Sequence, residues 1–293
     1  MGEVGQAWQL RKVHSKKSSC RMNILRVPRR FSSSSSIFTP TPASEATIEG
    51  IRALADRRPN FWKDKIGLDW GTGTGILARE TLSLGAKSCI GLDISPANIR
   101  HASAKAAKAP ASFFVADGFT PHCEAGSEAI AEVRELRGGF DFIVANPPAS
   151  SGDDGFGFRR RILADAVEMG LLRKGGHILM QWLSYYGTRN DDPIDSRGAR
   201  AARAAEGLLY EEVVHETSWQ PLWDDNSASR AVLMPQLMQY ANAEGRGEQR
   251  FYCHPAEDGR LLTARETVEW MTAVDGELRV PKCRWTINLF NYS

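Results

Sequence analysis

From Lys65 onward the chain alternates between short apolar runs and longer amphipathic ones. Ile66–Trp70, Ser88–Asp93, Ser112–Ala116, Phe140–Ala145 and His177–Leu183 have the length and composition of buried strands. Between them, Ile76–Leu84, a stretch capped by Ser95 with Pro96 in its first turn and running to about Lys108, Glu124–Leu136 and Arg159–Leu172 predict helices. Gly85, Gly138-Gly139 and Gly175-Gly176 punctuate the series. Apolar strands separated by helices imply βαβ units and a parallel sheet covered on both faces. Ligands of such sheets bind beyond the carboxyl ends of the strands. After Leu183 the alternation loosens. Arg197–Ala205 predicts a helix and Leu208–Val214 a further strand, whereas residues 216–283 fit no alternation and are read as a substrate-side insertion or cap. Arg284–Phe290 alternates at period two and is expected to close the sheet. The expected fold is α/β, a doubly wound, mostly parallel seven-stranded sheet with an insertion before its last strand. Residues 37–63 form a lead-in helix region, 64–215 the core and 284–293 the final strand.

Composition bounds the function. The 42% hydrophobic fraction of this 293-residue chain suffices for a full core, and no apolar run approaches the roughly 20 residues that span a bilayer. Its five cysteines show no Cys-x-x-Cys spacing and are read as free thiols. Charge is uneven: eight of the 37 basic residues but only one of the 35 acidic ones fall within residues 1–44, so the remainder is net acidic. An acidic core argues against a grip on long nucleic acid, which depends on neutralising phosphates. Residues 1–36 are rich in Arg and Ser, with Arg29-Arg30-Phe31-Ser32 after Met22, the composition of a mitochondrial transit peptide. A cytoplasmic protein with a basic tail is the alternative.

The chemistry concentrates at strand ends. Asp69-Trp70-Gly71-Thr72-Gly73-Thr74-Gly75 leads from a strand through a tight glycine turn into a helix. Dinucleotide sites use G-x-G-x-x-G and set a helix N-terminus against a pyrophosphate. Here the spacing is G-x-G-x-G with an acid just ahead, which disfavours a phosphate and suits a cation. Asp93 and Asp117 end the next two strands. The first is placed to accept from ribose hydroxyls and the second from an exocyclic adenine amine. Three acids at successive strand ends suit an adenosine with a positive tail.

On these residues the chain resembles the class I S-adenosylmethionine-dependent methyltransferases over roughly residues 64–183. The resemblance implies a Rossmann-like fold with S-adenosylmethionine held by Asp69, Gly71, Thr72, Gly73, Gly75, Asp93, Ile94, Asp117, Gly118 and Asn146, Ile94 packing on adenine.

Downstream, Asn146-Pro147-Pro148-Ala149 follows a strand, and its prolines stiffen the loop and donate no N–H. The loop offers acceptors to an amine: the Asn146 side-chain oxygen and neighbouring carbonyls. It resembles the Asn-Pro-Pro-aromatic motif of methyltransferases acting on planar nitrogens, with Asn146 and Pro147 in the catalytic positions. Ala149 stands where that family places a stacking aromatic, and Phe156, Phe158, Trp182, Tyr185 and Tyr186 are the candidate substitutes. Pro40-Thr41-Pro42 and Glu45 are similar to the Pro-x-Pro-x-x-Glu stretch of release-factor glutamine methyltransferases, or else lead into a helix capped at Ser44. Arg159-Arg160-Arg161 reads as a solvated helix face or as a contact for an acidic group. The expected activity is methyl transfer to nitrogen, the acceptor left open among protein amide, RNA base and small-molecule amine. The chain is expected to be monomeric and to have no membrane partner. The competing readings are a catalytically silent scaffold of the organelle ribosome-assembly kind and, disfavoured by its glycine spacing, a nicotinamide dehydrogenase.

Overall fold

The computed structural model describes residues 37, 41–186, 197–223, 228–247, 250–272 and 279–293. The segment expected to act as a transit peptide, together with Phe38–Pro40, lies outside them.

The first element is helix α1 (Pro42–Arg57), capped by Thr41 with Pro42 opening its first turn. Ser44 is therefore inside the helix, not its cap. Strands and helices then alternate: β1 (Ile66–Trp70), α2 (Ile76–Ser83), β2 (Ser88–Asp93), α3 (Pro96–Lys105), β3 (Ala111–Asp117), the two-residue β4 (Thr120–Pro121), α4 (Glu124–Arg137), β5 (Phe140–Ala145), α5 (Gly157–Glu168), β6 (Leu172–Leu183), α6 (Arg197–Ala202) and β7 (Leu208–Glu216). The expected helix Arg159–Leu172 is shorter than its pattern. Gly170 takes a positive φ, ends the turn after Glu168, and releases Leu171 and Leu172 into the core, where Leu172 pairs with Phe140. Strand β6 thus starts before the Gly175-Gly176 pair that was expected to precede it.

One eight-stranded sheet runs in the order β4-β3-β2-β1-β5-β6-β12-β7, with β12 spanning Trp285–Tyr292. β3, β2, β1, β5 and β6 are mutually parallel. The seven expected strands are present, and the two-residue β4 extends one edge. β12 does more than close the sheet. It inserts antiparallel between β6 and β7, and Ile287, Leu289 and Phe290 are completely buried there.

Residues 216–283 hold β8 (Gln220–Pro221), α7 (Ala228–Gly245), β9 (Tyr252–Pro255), β10 (Leu261–Thr263), α8 (Ala264–Thr272) and β11 (Lys282–Cys283). β8 pairs with β11 and β9 with β10, both outside the main sheet. Cys89, Cys123, Cys253 and Cys283 are free thiols. No helix among the described residues is long and apolar enough to cross a membrane.

The strand order brings the two motifs together. β1 and β5 are neighbours, with Trp70 opposite Ala145, although helices on either side leave in opposite directions. That reversal of strand order opens a crevice at the carboxyl edge, and the Asp69–Gly75 loop and Asn146 both stand on it.

Candidate active site

The glycine turn is held from beneath by Asp69, which is fully buried. One carboxylate oxygen, Oδ2, accepts from the Thr72 hydroxyl at 2.6 Å and from the Ala78 N–H at 3.0 Å. The other, Oδ1, is buried without a partner. Burial in a low-dielectric interior pushes the Asp69 carboxyl up to about 7, against the lowering effect of those two donors.

Asp93 is committed to the protein more heavily than its expected role suggests. Its Oδ2 accepts the Gly73 N–H at 2.8 Å, and its Oδ1 accepts from the Ser95 N–H at 2.8 Å and the Asn98 side-chain amide at 3.2 Å. It therefore ties the glycine turn to the start of α3, and ribose hydroxyls would have to share these oxygens. Ile94 beside it is 56% exposed, an uncovered apolar side chain at the strand end. Asp117 is exposed. Gly71 and Gly118, both at positive φ, have nothing within 4 Å of the position a Cβ would take. Gly75 differs: a Cβ there would press on Phe113 and Ala102 at 3.0 and 3.1 Å. It packs against these side chains at the start of α2.

The residues present fit an adenosyl cofactor with a cationic tail. The orphaned Asp69 oxygen suits the charge, the open sides of Gly71 and Gly118 admit a close approach, and Ile94 offers an apolar face.

On the neighbouring strand, Asn146 is half-buried. Its side-chain nitrogen donates to the Ser44 hydroxyl at 3.1 Å, which fixes the amide and leaves Oδ1 with no partner among the described residues. Thr41, at the N-cap of α1, donates its own N–H to the same hydroxyl at 3.4 Å. The stretch around Pro42 is thus brought to the acceptor loop, while Pro40 lies outside the described residues.

Arg159 corrects two expectations at once. It is fully buried, not part of a solvated face. Its guanidinium donates to the carbonyls of Pro147 at 2.8 Å, Pro148 at 3.0 Å and Gln181 at 2.8 Å, and to the Gln181 side-chain oxygen at 2.8 Å. Two of the carbonyls expected to serve an incoming amine therefore already accept from arginine, each with a single lone pair left. Burial among these neutral dipoles lowers the guanidinium to about 10, and it lies over the Tyr186 ring at 4.6 Å. No spacing rule marks Arg159 out. The only available signal was its place two residues after Gly157, at the opening of a helix, and the flanking arginines disguised it. Arg160 instead pairs with the buried Asp154 at 2.8 Å.

Phe156, Trp182, Tyr185 and Tyr186 are buried in the core and present no open ring face. Phe156 packs edge-on against Trp182 at 4.7 Å. Of the candidate substitutes for the absent aromatic, Phe158 alone is half-exposed. Ala149 itself packs against the core.

Residues 68–146, from the middle of β1 through Asn146, match the family model described as a methyltransferase domain. Among solved structures, a Pyrococcus horikoshii protein described as a candidate RNA methyltransferase is 14% identical, with 88% of this chain and 90% of that one covered and a TM-score of 0.45. A candidate sarcosine dimethylglycine methyltransferase of Galdieria sulphuraria is 16% identical, with 85% of each chain covered and a TM-score of 0.45. A TehB-like SAM-dependent methyltransferase of Corynebacterium glutamicum is 15% identical over 83% of this chain and 87% of that one, at 0.38. Likenesses this distant carry no argument about reaction or acceptor. No protein with a curated description matches the sequence. The matched stretch contains the glycine turn, both downstream acids and Asn146. Residues 68–146 thus match a methyltransferase domain, and the side chains gathered there fit S-adenosylmethionine as its cofactor.

Proposed function

We propose that this domain methylates a nitrogen, with Asn146 orienting the acceptor. When bound, S-adenosylmethionine supplies an electrophilic methyl on a sulfonium. The chain's own residues bind, orient and exclude. Asp69 offers its unpaired oxygen to positive charge, and Asp93, Ile94, Asp117 and Gly118 line the adenosine side. Asn146 Oδ1 accepts an N–H and so aims the nitrogen lone pair along the line of displacement, where alignment supplies most of the rate. The observation that carries this reading is the Asn146–Ser44 hydrogen bond, which commits the amide nitrogen and leaves the oxygen as the group offered to an amine.

Residues 216–283 serve in this reading as the substrate-side cap. The N-terminal basic segment serves as a mitochondrial address, on composition alone. The Arg159 bonds to Pro147 and Pro148 are what a silent scaffold would draw on, since they reduce the loop's free acceptors.

The test is Asn146→Ala, assayed by transfer of labelled methyl to an organelle extract and by calorimetric titration with S-adenosylmethionine. Transfer is expected to fall by about a hundredfold or more, the scale of lost positioning, and by far more than cofactor affinity, to which Asn146 is one contact among ten. Undiminished transfer sinks the role of Asn146. Cofactor binding without any transfer by the unaltered protein supports the scaffold instead.

A further inference from the structure

The loop that carries Asn146 is stiffened twice. Pro147 and Pro148 each fix φ at about −65°, and each restricts the residue before it. The ψ angles stay softer, and each ψ sets the direction of its own residue's carbonyl. Arg159 holds those carbonyls. Its guanidinium donates to Pro147 at 2.8 Å and to Pro148 at 3.0 Å. It also reaches the Gly155 carbonyl at 3.4 Å, further along the same loop. Its other bonds go to the carbonyl and side-chain oxygens of Gln181, both at 2.8 Å. Gln181 belongs to β6, where the preceding Met180 pairs with Ala145. The guanidinium therefore ties the loop to the strand beside β5.

Every one of these acceptors is neutral. Burying a cation without a carboxylate carries a large desolvation penalty, and an apolar side chain would fill the same space without it. What the guanidinium adds to packing is a planar fork that holds two successive carbonyls at once, which a lysine cannot do. Asn146 is thereby bracketed. Ser44 takes its side-chain amide at 3.1 Å, and Arg159 fixes the two residues that follow it.

We infer that Arg159 is a positioning residue for methyl transfer: by holding the Pro147 and Pro148 carbonyls it sets the backbone from which Asn146 meets the acceptor. The inference rests on the assignment of Asn146 as the group that orients the acceptor. Arg159 is completely buried and acts through the loop. The bonds that occupy the loop's carbonyls are, on this view, what leaves the Asn146 oxygen as the acceptor offered to an amine.

The experiment follows the Asn146 side-chain amide by nuclear magnetic resonance in the full chain saturated with S-adenosylhomocysteine, the resonance pair being assigned from Asn146→Ala. The same variants are assayed for transfer of labelled methyl to an organelle extract. Arg159→Met should displace or broaden the Asn146 pair and lower transfer by about a hundredfold, the scale of a misplacement of about 1 Å, with a far smaller change in S-adenosylhomocysteine affinity. Arg159→Lys keeps the charge without the fork and should transfer no better than Arg159→Met. Arg161→Met, at an exposed ion pair on the same helix, should alter neither readout. Gln181→Met removes one acceptor and leaves the guanidinium in place; it should move the pair and lower transfer about tenfold. An Asn146 pair unmoved in Arg159→Met overturns the inference. So does transfer that falls only as far as the folded fraction falls, which is all that a structural role would give. Full transfer by Arg159→Lys overturns it too, since charge alone would then suffice. If the Arg159 variants do not fold, Gln181→Met decides: an unmoved pair with undiminished transfer overturns the inference. Undiminished transfer in Asn146→Ala, with transfer lost in Arg159→Met, refutes the role of Asn146 and keeps Arg159 as the residue that positions the loop. If the unaltered protein transfers nothing, the proposed reaction fails, and the amide pair alone decides whether Arg159 sets Asn146.

Discussion

Asp69 is the residue on which the proposed cofactor site turns, through one buried oxygen without a partner. With its carboxyl at about 7, the group holds a proton more tightly in the folded chain than in the unfolded one. Its contribution to stability is thus fully present below the ordinary carboxylate range and is lost as pH rises toward 7. Binding of a cation has the opposite preference, because only the charged carboxylate attracts it. Cofactor affinity should fall about tenfold for each pH unit below about 7, and Asp69→Asn should abolish that slope while weakening binding at pH 8 by about tenfold or more. Calorimetric titration at several pH values checks both, and a flat profile in the unaltered protein refutes the assignment. At this scale the sequence was informative about position and less so about allegiance. The acids at the ends of β1, β2 and β3 stand where their spacing puts them, because a parallel βαβ repeat delivers every strand end to one edge. That Asp93 spends both oxygens on Gly73, Ser95 and Asn98 is a matter of loop geometry that spacing does not encode. Arg159 was illegible for a different reason: three consecutive arginines look alike in composition, and only helix phase decides which one turns inward.

Among the elements, α5 and α7 determine how the acceptor loop is held. The chain between Asn146 and α5 is folded on itself by Asp153, whose Oδ1 accepts from Ser150 at 2.6 Å and from the Gly155 N–H at 2.8 Å. α7 rests on this turn at Gly155. A Cβ there would lie 2.3 Å from the Tyr240 hydroxyl and 2.9 Å from the Gln236 amide, and the residue sits at φ +73. Gln236 and Tyr240 are themselves joined at 2.6 Å. Gly155→Ala therefore combines a left-handed backbone with a steric overlap and should cost about 2–4 kcal/mol. Hydrogen exchange should quicken in α7 and in residues 150–158 while α2 and α3 keep their protection; uniform exchange across all of them would mean that α7 is not seated on the loop. The early helices were readable because Ser95, Pro96 and the glycine breaks mark their ends. The insertion was not, since its short strands β8 to β11 pair with one another outside the main sheet and carry no long-period pattern.

For the whole molecule the deciding strand is β12. The period-two alternation of Arg284–Phe290 identifies it as a strand, but alternation says nothing about which neighbours it takes, and it lies between β6 and β7. Leu289→Ala in that position should cost about 2–5 kcal/mol and lower the melting temperature by about 4–20 °C, with cofactor affinity per folded molecule unchanged. Thermal melts with and without S-adenosylmethionine measure both quantities, and a loss of affinity equal to the loss of stability would show that the sheet's two halves are not separable.

The interior place of β12 also bears on how the protein is made. On a ribosome, β1, β2, β3, β5 and β6 emerge in order and can pair as they appear. The slot between β6 and β7 stays open until the whole insertion has been synthesised, because the strand that fills it is encoded after α7 and α8. For that interval the nascent chain exposes two unpaired strand edges and the apolar faces that Ile287, Leu289 and Phe290 later cover. Its dependence on chaperones should accordingly be greatest late in translation, when the cofactor half of the sheet can already be in place.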